Sequence, residues 1–281
     1  MKVSLVMGTL GARTDQLTVF LNSLASGTHR NIELVVVDQS QENNLLSGLL
    51  SEHWPFPVLH LRSRPGLSRA RNVGLAQVTG DIVAFPDDDS WYPETLLSSV
   101  VERFGSDPSL GGLAGRPVDA EGHSSFPRWD LRPGKIDRFN VWRRCNSNAL
   151  FLSRAAVGRV GGFDESLGVG SSTPWGAAED IDYPLRVLAA GGTLHYDPTL
   201  LVHHPRTTPS FDSASVARAE SYGRGMGRVL RKHGYPWWFV FYQGARPLGG
   251  AVISAATGRL AKARYHRAIW RGRREGWLTG K

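Results

Sequence analysis

A single cysteine, Cys145, stands in 281 residues, so no internal disulfide can form and a zinc-thiolate or dithiol redox site is excluded. That favours a reducing compartment. The early Gly8-Thr9-Leu10-Gly11 lacks the G-x-G-x-x-G spacing, and no G-x-x-x-x-G-K-[ST] occurs anywhere, which removes the standard dinucleotide site and the P-loop. Long hydrophobic runs are missing too. The most apolar stretch, 236–253, is interrupted by Gln243 and Arg246, well short of the ~20 residues a helix needs to cross a bilayer. Val3 to Met7 is too short for a secretory core and runs into Gly8 to Arg13, so it reads as a first core strand. There is no internal repeat and no low-complexity linker.

What is present suffices for one substantial core with an appended element: 41% of residues are hydrophobic and 21% charged. The net charge of +8 is unevenly distributed. Residues 218–281 carry 14 Lys and Arg against Glu220 and Glu275, a net +12, leaving 19 Lys and Arg against 23 Asp and Glu, a net −4, on the rest. In that basic tail, Trp237, Trp238, Phe239, Phe241 and Tyr242 lie between Arg224, Arg228, Arg231 and Lys232 on one side and Arg259, Lys262, Arg264 and Arg267 on the other. Aromatics bounded by cations suit a membrane interface. The same pattern also fits a basic helical pair packed on the main domain through its aromatics. A nucleic-acid surface is the less favoured reading, because no recognised binding motif accompanies the charge. We place a soft boundary near 212, with a body over 1–212 and an extension over 213–281.

Strand-like runs at 3–7, 32–37, 57–61 and 82–86 alternate with helix-like segments near 15–26, 42–52, 68–78 and 93–104, the βαβα pattern of a parallel sheet. Ser68 is placed to cap the third helix, and Pro93 fits the first turn of the fourth. After 105 the alternation loosens, which predicts a mixed second half.

The chemistry concentrates at strand ends. Asp87, Asp88 and Asp89 follow the apolar run 82–86 and emerge where open α/β sheets bind ligands. Three adjacent carboxylates repel unless something positive sits among them, so they point to a hard divalent cation carrying a phosphate, or else to a solvated turn. Asp38, behind Leu34 to Val37, can accept hydrogen bonds from a nucleobase or simply cap its own turn. Arg69 and Arg71 fall on the first turn of a predicted helix, where guanidinium and backbone N–H groups favour anions; Arg69 equally suits a solvated surface. Glu179-Asp180 offers a general base or an acidic helix start. Trp175 can stack on a bound ligand or anchor the core. Trp129 and Trp142, with Arg128, Arg143 and Arg144, can border a cleft or merely pack. Gly223, Gly225 and Gly227 read as a close-packing helix face.

Seven fragments occur in one family's order: the first strand with Thr9 and Arg13, Asp38 at a strand end, GLSRARNVGL at 66–75, FPDDDSWYP at 85–93, NSNALFLSRAAVGRVGGFDESL at 146–167, AAEDIDYPLRVLAAGG at 177–192 and LLVHHP at 200–205. From Val3 to about Pro205 the chain resembles a family 2 glycosyltransferase of the GT-A fold. The resemblance implies a mixed, mostly parallel central sheet flanked by helices. It puts Thr9, Arg13, Asp38 and Arg71 around a nucleotide, Asp88 on the ribose, Asp89 on Mg²⁺ or Mn²⁺, and Asp180 as base beside Glu179. A histidine completes the family's metal site; of His203 and His204 we prefer His204.

The glycine usual before the acidic pair is Ala178 here, and Pro184 is read as starting the next helix. One base with no evident nucleophile implies hexosyl transfer with inversion from a nucleotide-diphospho sugar to an acceptor hydroxyl. The expected acceptor is a saccharide or lipid-linked one in surface polysaccharide or glycolipid synthesis, with the enzyme cytoplasmic and peripheral on the inner face of the membrane through 213–281. The rivals are a nucleotidyltransferase of related fold and a non-catalytic basic protein binding membrane or nucleic acid.

Overall fold

The computed structural model describes residues 1–41, 44–126, 129–206 and 208–279; Arg128 lies outside them. Val3 to Thr9 and Ile32 to Asp38 are buried almost throughout, a pattern that demands cover on both sides of a sheet. β1 (Val3–Thr9), β2 (Ile32–Asp38), β3 (Val58–Arg62) and β4 (Ile82–Ala84) pair in parallel, in the order β3-β2-β1-β4. The connecting helices are α1 (Thr14–Ser26), α2 (Asn44–Leu50) and α3 (Leu67–Leu75). α1 buries Leu17, Phe20, Leu21 and Leu24, one helical face, in a core that also holds Leu5, Met7, Leu34 and Val36. Alternate residues Val35 and Val37 pack instead with Ala70 and Val73 of α3. Gly74 lets α3 approach the sheet, since a Cβ there would lie 2.4 Å from Val6 Cγ1.

The later elements are α4 (Leu96–Ser106), β5 (Leu110–Val118), β6 (Gly134–Lys135), β7 (Leu150–Ser153), α5 (Arg154–Val160), α6 (Glu179–Ala189) and β8 (Thr193–His203). They extend the sheet to the order β3-β2-β1-β4-β7-β5-β8-β6, in which β7 runs antiparallel to both β4 and β5. The sheet is therefore mixed but mostly parallel.

Several local expectations change. β4 ends at Ala84 rather than at 86, where Pro86 has no N–H for a ladder. Ser68 does not cap α3; it lies inside the helix and its hydroxyl donates to the Leu167 carbonyl at 2.7 Å. Pro93 sits before α4, its carbonyl accepting from Leu96 N at 3.0 Å, and Thr95 takes the cap position. Pro184 does not start a helix but lies within α6, which already begins at Glu179.

Two compact units divide the chain: 1–65, 69–163 and 183–207 form one, and 66–68, 164–182 and 208–281 the other. The second unit thus takes the tail together with two segments that the sequence reading left in the body. Its long helices are α7 (Ser213–Lys232), α8 (Trp237–Ala256) and α9 (Leu260–Thr279). Asp212 caps α7 by accepting from Ser215 N at 2.7 Å. α7 and α9 meet through glycine. A Cβ at Gly272 would lie 2.1 Å from the Glu220 carbonyl oxygen, and one at Gly276 would lie 2.0 Å from that of Arg224. Both partners advance by four residues, so these helices run parallel. Gly223 and Gly227 face α9 just as closely, while Gly225 abuts Ala177, which makes the G-x-G-x-G run a packing device. Among the described residues no helix is long and apolar enough to cross a membrane.

Candidate active site

The site is built on the carboxyl ends of β1, β2 and β4. Thr9 and Asp38 are register partners at the ends of β1 and β2. Phe85, packed edge-on to Phe163 at 5.0 Å, anchors the chain just before the aspartates. From that anchor successive carboxylates diverge. Asp88 accepts from Thr9 Oγ1 at 2.7 Å and from Arg13 at 3.0 Å. Asp87 and Asp89 instead converge on His204, whose Nε2 lies 3.4 Å from Asp89 Oδ1 and 3.9 Å from Asp87 Oδ2.

His204 reaches this place because the loop after the aspartates is stitched to the end of β8. Trp91 N donates to the His203 carbonyl and His203 N to the Trp91 carbonyl, both at 3.0 Å, and their rings stack 4.9 Å apart. His203 is committed there, with Nδ1 3.1 Å from the Asp119 carbonyl oxygen. His204 is fixed from the other side: its N donates to Val118 O at 2.8 Å, Ser125 Oγ donates to its carbonyl at 2.7 Å, and its ring stacks on Phe126 at 5.9 Å.

Ligand atoms of Asp87, Asp89 and His204 lie within 4.8 Å of one another. Among the described residues, Asp89 Oδ1 is buried without a hydrogen-bond donor and His204 Nδ1 without a partner. Two carboxylates and one imidazole form a donor set suited to Mg²⁺ or Mn²⁺, and an orphaned buried carboxylate oxygen is what such an ion would satisfy. The residues fit the group.

Arg13 supplies the nearby positive charge, 2.6 Å from Asp89 Oδ2. Partial burial works against its charge, but Asp89 and Asp88 outweigh that and raise its pKa. Burial pushes the Asp87 carboxyl up, with Arg71 and His204 opposing and Asp89 and Asp88 reinforcing the rise.

Arg71 lies beneath this edge and not in the open. It is 1% exposed, donates to Ser147 Oγ at 2.8 Å, stands 3.4 Å from Asp87 Oδ1 and covers the Phe163 ring at 5.3 Å. Asp38 is wholly buried and turned into its own turn, accepting from Ser40 N at 2.7 Å beside Arg62 at 3.3 Å. Burial would raise its pKa, but hydrogen bonds from Ser40 and the Arg62 charge hold it below the usual carboxylate range. Arg69 donates to Pro65 O at 3.1 Å.

In the second unit, Glu179 and Asp180 open α6, with Glu179 buried and Asp180 half-buried. Ala178 turns the chain into this helix at φ 75°, and its carbonyl accepts from Ile181 and Asp182. Beside Glu179 lies a cavity of about 360 Å³ lined by the 168–173 loop, Gly176 and the α7 residues Arg218, Ser221 and Tyr222. Gly168 forms the contact, since a Cβ there would come within 3.0 Å of Glu179 Oε2. The Arg228 guanidinium lies over the Trp175 ring at 4.7 Å, and Trp175 is half-buried. Trp129 packs on Phe126 at 5.7 Å; Arg144 and Arg143 both bind Asp130, at 2.7 and 3.7 Å.

The sequence reading missed three contributors. Asp87 was named in the triplet but given no role of its own. Trp91 and Phe126 carried no local signal, because their partners are remote in sequence.

Residues 4–159 match the pattern described as Glycosyl transferase family 2. The chain belongs to that family. It is similar to the pre-mycofactocin glycosyltransferase of Mycobacterium tuberculosis, 28% identical over 256 residues, covering 87% of this chain and 52% of the relative. The chain thus spans about half the length of that protein. It is also 29% identical over 270 residues to the succinoglycan biosynthesis protein ExoM of Rhizobium meliloti, covering 89% of this chain and 83% of the relative. Among solved structures, the mannosyltransferase PcManGT of Pyrobaculum calidifontis, in complex with GDP-Man and Mn²⁺, superposes with a TM-score of 0.64 at 17% identity, over 95% of this chain and 85% of that one. The family 2 member described here therefore has the GT-A fold.

Proposed function

We propose that this family 2 protein is a metal-dependent, inverting glycosyltransferase that moves a sugar from a nucleotide-diphospho sugar to an acceptor hydroxyl in surface polysaccharide or glycolipid synthesis. The observation that carries the reading is the convergence of Asp87, Asp89 and His204, with an orphaned carboxylate oxygen, beside Thr9, Arg13 and Asp88 at one sheet edge. The GDP-Man and Mn²⁺ bound by the Pyrobaculum mannosyltransferase support a donor and an ion of this kind.

Asp87, Asp89 and His204 would hold Mg²⁺ or Mn²⁺, which when bound supplies Lewis-acid stabilisation of the charge growing on the departing diphosphate. Arg13, exposed beside these acids, binds diphosphate oxygens as a guanidinium fork. Asp88, oriented by Thr9, accepts from the ribose hydroxyls. Arg71 and Asp38 act from beneath: Arg71 positions Asp87, and Asp38 holds the turn that borders the nucleobase. Asp180 takes the proton from the acceptor hydroxyl as it attacks the anomeric carbon, and Glu179 fixes the loop at Gly168. The hydroxyl-lined cavity at 168–176 receives the acceptor. With Asp180 as base for the attacking hydroxyl, a single direct displacement inverts the anomeric configuration.

The test is a product assay on UDP- and GDP-sugars with saccharide and lipid-linked acceptors. Release of nucleoside diphosphate with an inverted linkage is expected, and Asp180→Asn should lower turnover ~10²–10⁴-fold without loosening nucleotide binding. Release of pyrophosphate from a nucleoside triphosphate would identify a nucleotidyltransferase instead.

A further inference from the structure

α8 is built inside out. Its buried face consists of Phe239, Gln243, Pro247 and Ser254, so two polar side chains point into the protein. Its outward face carries the large apolar residues: Trp237 is 79% exposed, Phe241 71%, Val252 63% and Ile253 66%, with Tyr242 and Leu248 also exposed between them. On the 3.6-residue repeat these fall on one side, with Arg246, the one charged residue of the helix, at its edge over the Tyr242 ring at 5.8 Å. Such a helix spans ~30 Å.

The inner face is settled by packing and cannot rotate to hide the aromatics. The Gln243 carbonyl accepts from Arg273, and a Cβ at Gly250 would meet the His266 ring at 3.2 Å. An exposed apolar row of this length is a contact surface awaiting something apolar.

Charge identifies the partner. α9, packed against α8, exposes Arg264, Arg267, Arg271 and Arg274 at spacings of three and four, one helical side. Arg271 is neutralised by Glu220, but the tail as a whole keeps its net +12. Indole and phenol rings at one end, aliphatic side chains along the rest and a strongly positive tail match the acyl boundary and headgroups of an anionic bilayer.

We infer that the outward face of α8, from Trp237 to Ile253, lies in the plane of an anionic membrane to which the net positive charge of the tail draws it, which brings a lipid-linked acceptor to the enzyme. The acceptor clause rests on the transferase reading; the membrane contact does not.

The experiment is co-sedimentation of the full chain with vesicles of phosphatidylcholine alone or with one-third phosphatidylglycerol. Wild type should partition to the anionic vesicles, and Phe241→Ser/Val252→Ser/Ile253→Ser should bind them at least ~10-fold more weakly. Arg264→Gln/Arg267→Gln should weaken binding and flatten its salt dependence. Nucleotide binding with Mn²⁺, measured on the same preparations, shows that the variants are folded and tests the transferase reading separately. The inference is overturned if wild type stays in the supernatant, if it binds neutral vesicles equally well, if the triple variant binds like wild type, or if wild type dimerises through this face in place of binding lipid.

Discussion

Ala178 offers a quantitative test of how the acidic pair is presented. It is a buried alanine at φ 75°, in the left-handed region that an L-residue enters at a cost of roughly 1–2 kcal/mol. The strain persists because the Ala178 carbonyl accepts from Ile181 and Asp182 at 3.2 and 2.9 Å, which fixes the first turn of α6 where Glu179 and Asp180 sit. Replacing it by glycine removes the clash but adds about 0.4–1 kcal/mol of unfolded-chain entropy. Ala178→Gly should therefore stabilise the protein by a net ~0.5–1 kcal/mol, a rise in Tm of about 1–3 °C for a chain of this size. Ala178→Val, whose branched Cβ fits this region worse, should lower Tm. Thermal unfolding of the three proteins side by side is the assay. A lower Tm for the glycine variant than for wild type would refute the strain argument.

The remaining predictions concern packing and pH. Gly272→Ala should cost ~1–3 kcal/mol in urea unfolding, because its Cβ would fall 2.1 Å from the Glu220 carbonyl, whereas Gly105→Ala in α4, with nothing within 4 Å, should be neutral or slightly stabilising. Glu33 accepts from Ser4 Oγ, Lys2 Nζ, Thr79 N and Thr79 Oγ1 at 2.5 to 2.8 Å. Burial raises its pKa, but these hydrogen bonds prevail and lower it from the ordinary 4.5 to about 2. Its contribution is therefore complete above pH 4.5 and lost as pH falls through about 2. Glu33→Gln should be less stable than wild type by ~1–2 kcal/mol near neutrality, after discounting for solvent screening, with the gap closing in acid.

The parallel half of the fold was legible because strands buried on both faces and helices buried on one leave opposite periodicities, and β1 to β4 show them plainly. The antiparallel insertion of β7 between β4 and β5 was not, since nothing in Leu150 to Ser153 states which neighbours it will take. At the site, Asp88 and Asp89 stood out as strand-end acids, whereas His204 was preferred to His203 only through the family resemblance. The part of Asp87 was hidden behind its neighbours, and the Trp91–His203 pairing that brings His204 home joins segments 112 residues apart. Arg71 and Asp38 were visible as chemistry, but their burial depends on Ser147, Phe163 and Arg62, contacts that only folding creates. The aromatics of α8 were equally plain in sequence; that Gln243 and Ser254 would be the residues turned inward follows from how α9 packs.

The central claim is that Asp89 and His204, with Asp87, hold a divalent ion that fixes a nucleoside diphosphate. Its most direct test is thermal unfolding with UDP or GDP, each with and without Mn²⁺. At a hundred times Kd, one nucleotide should add ~2.7 kcal/mol, visible as a rise in Tm only when Mn²⁺ is present. Asp89→Ala and His204→Ala should abolish that rise, while Asp119→Ala, which removes a carboxylate from the separate Asp119, Glu121 and His123 group, should leave it intact. An undiminished rise in Asp89→Ala, or no response of wild type to either nucleotide with Mn²⁺, would contradict the account.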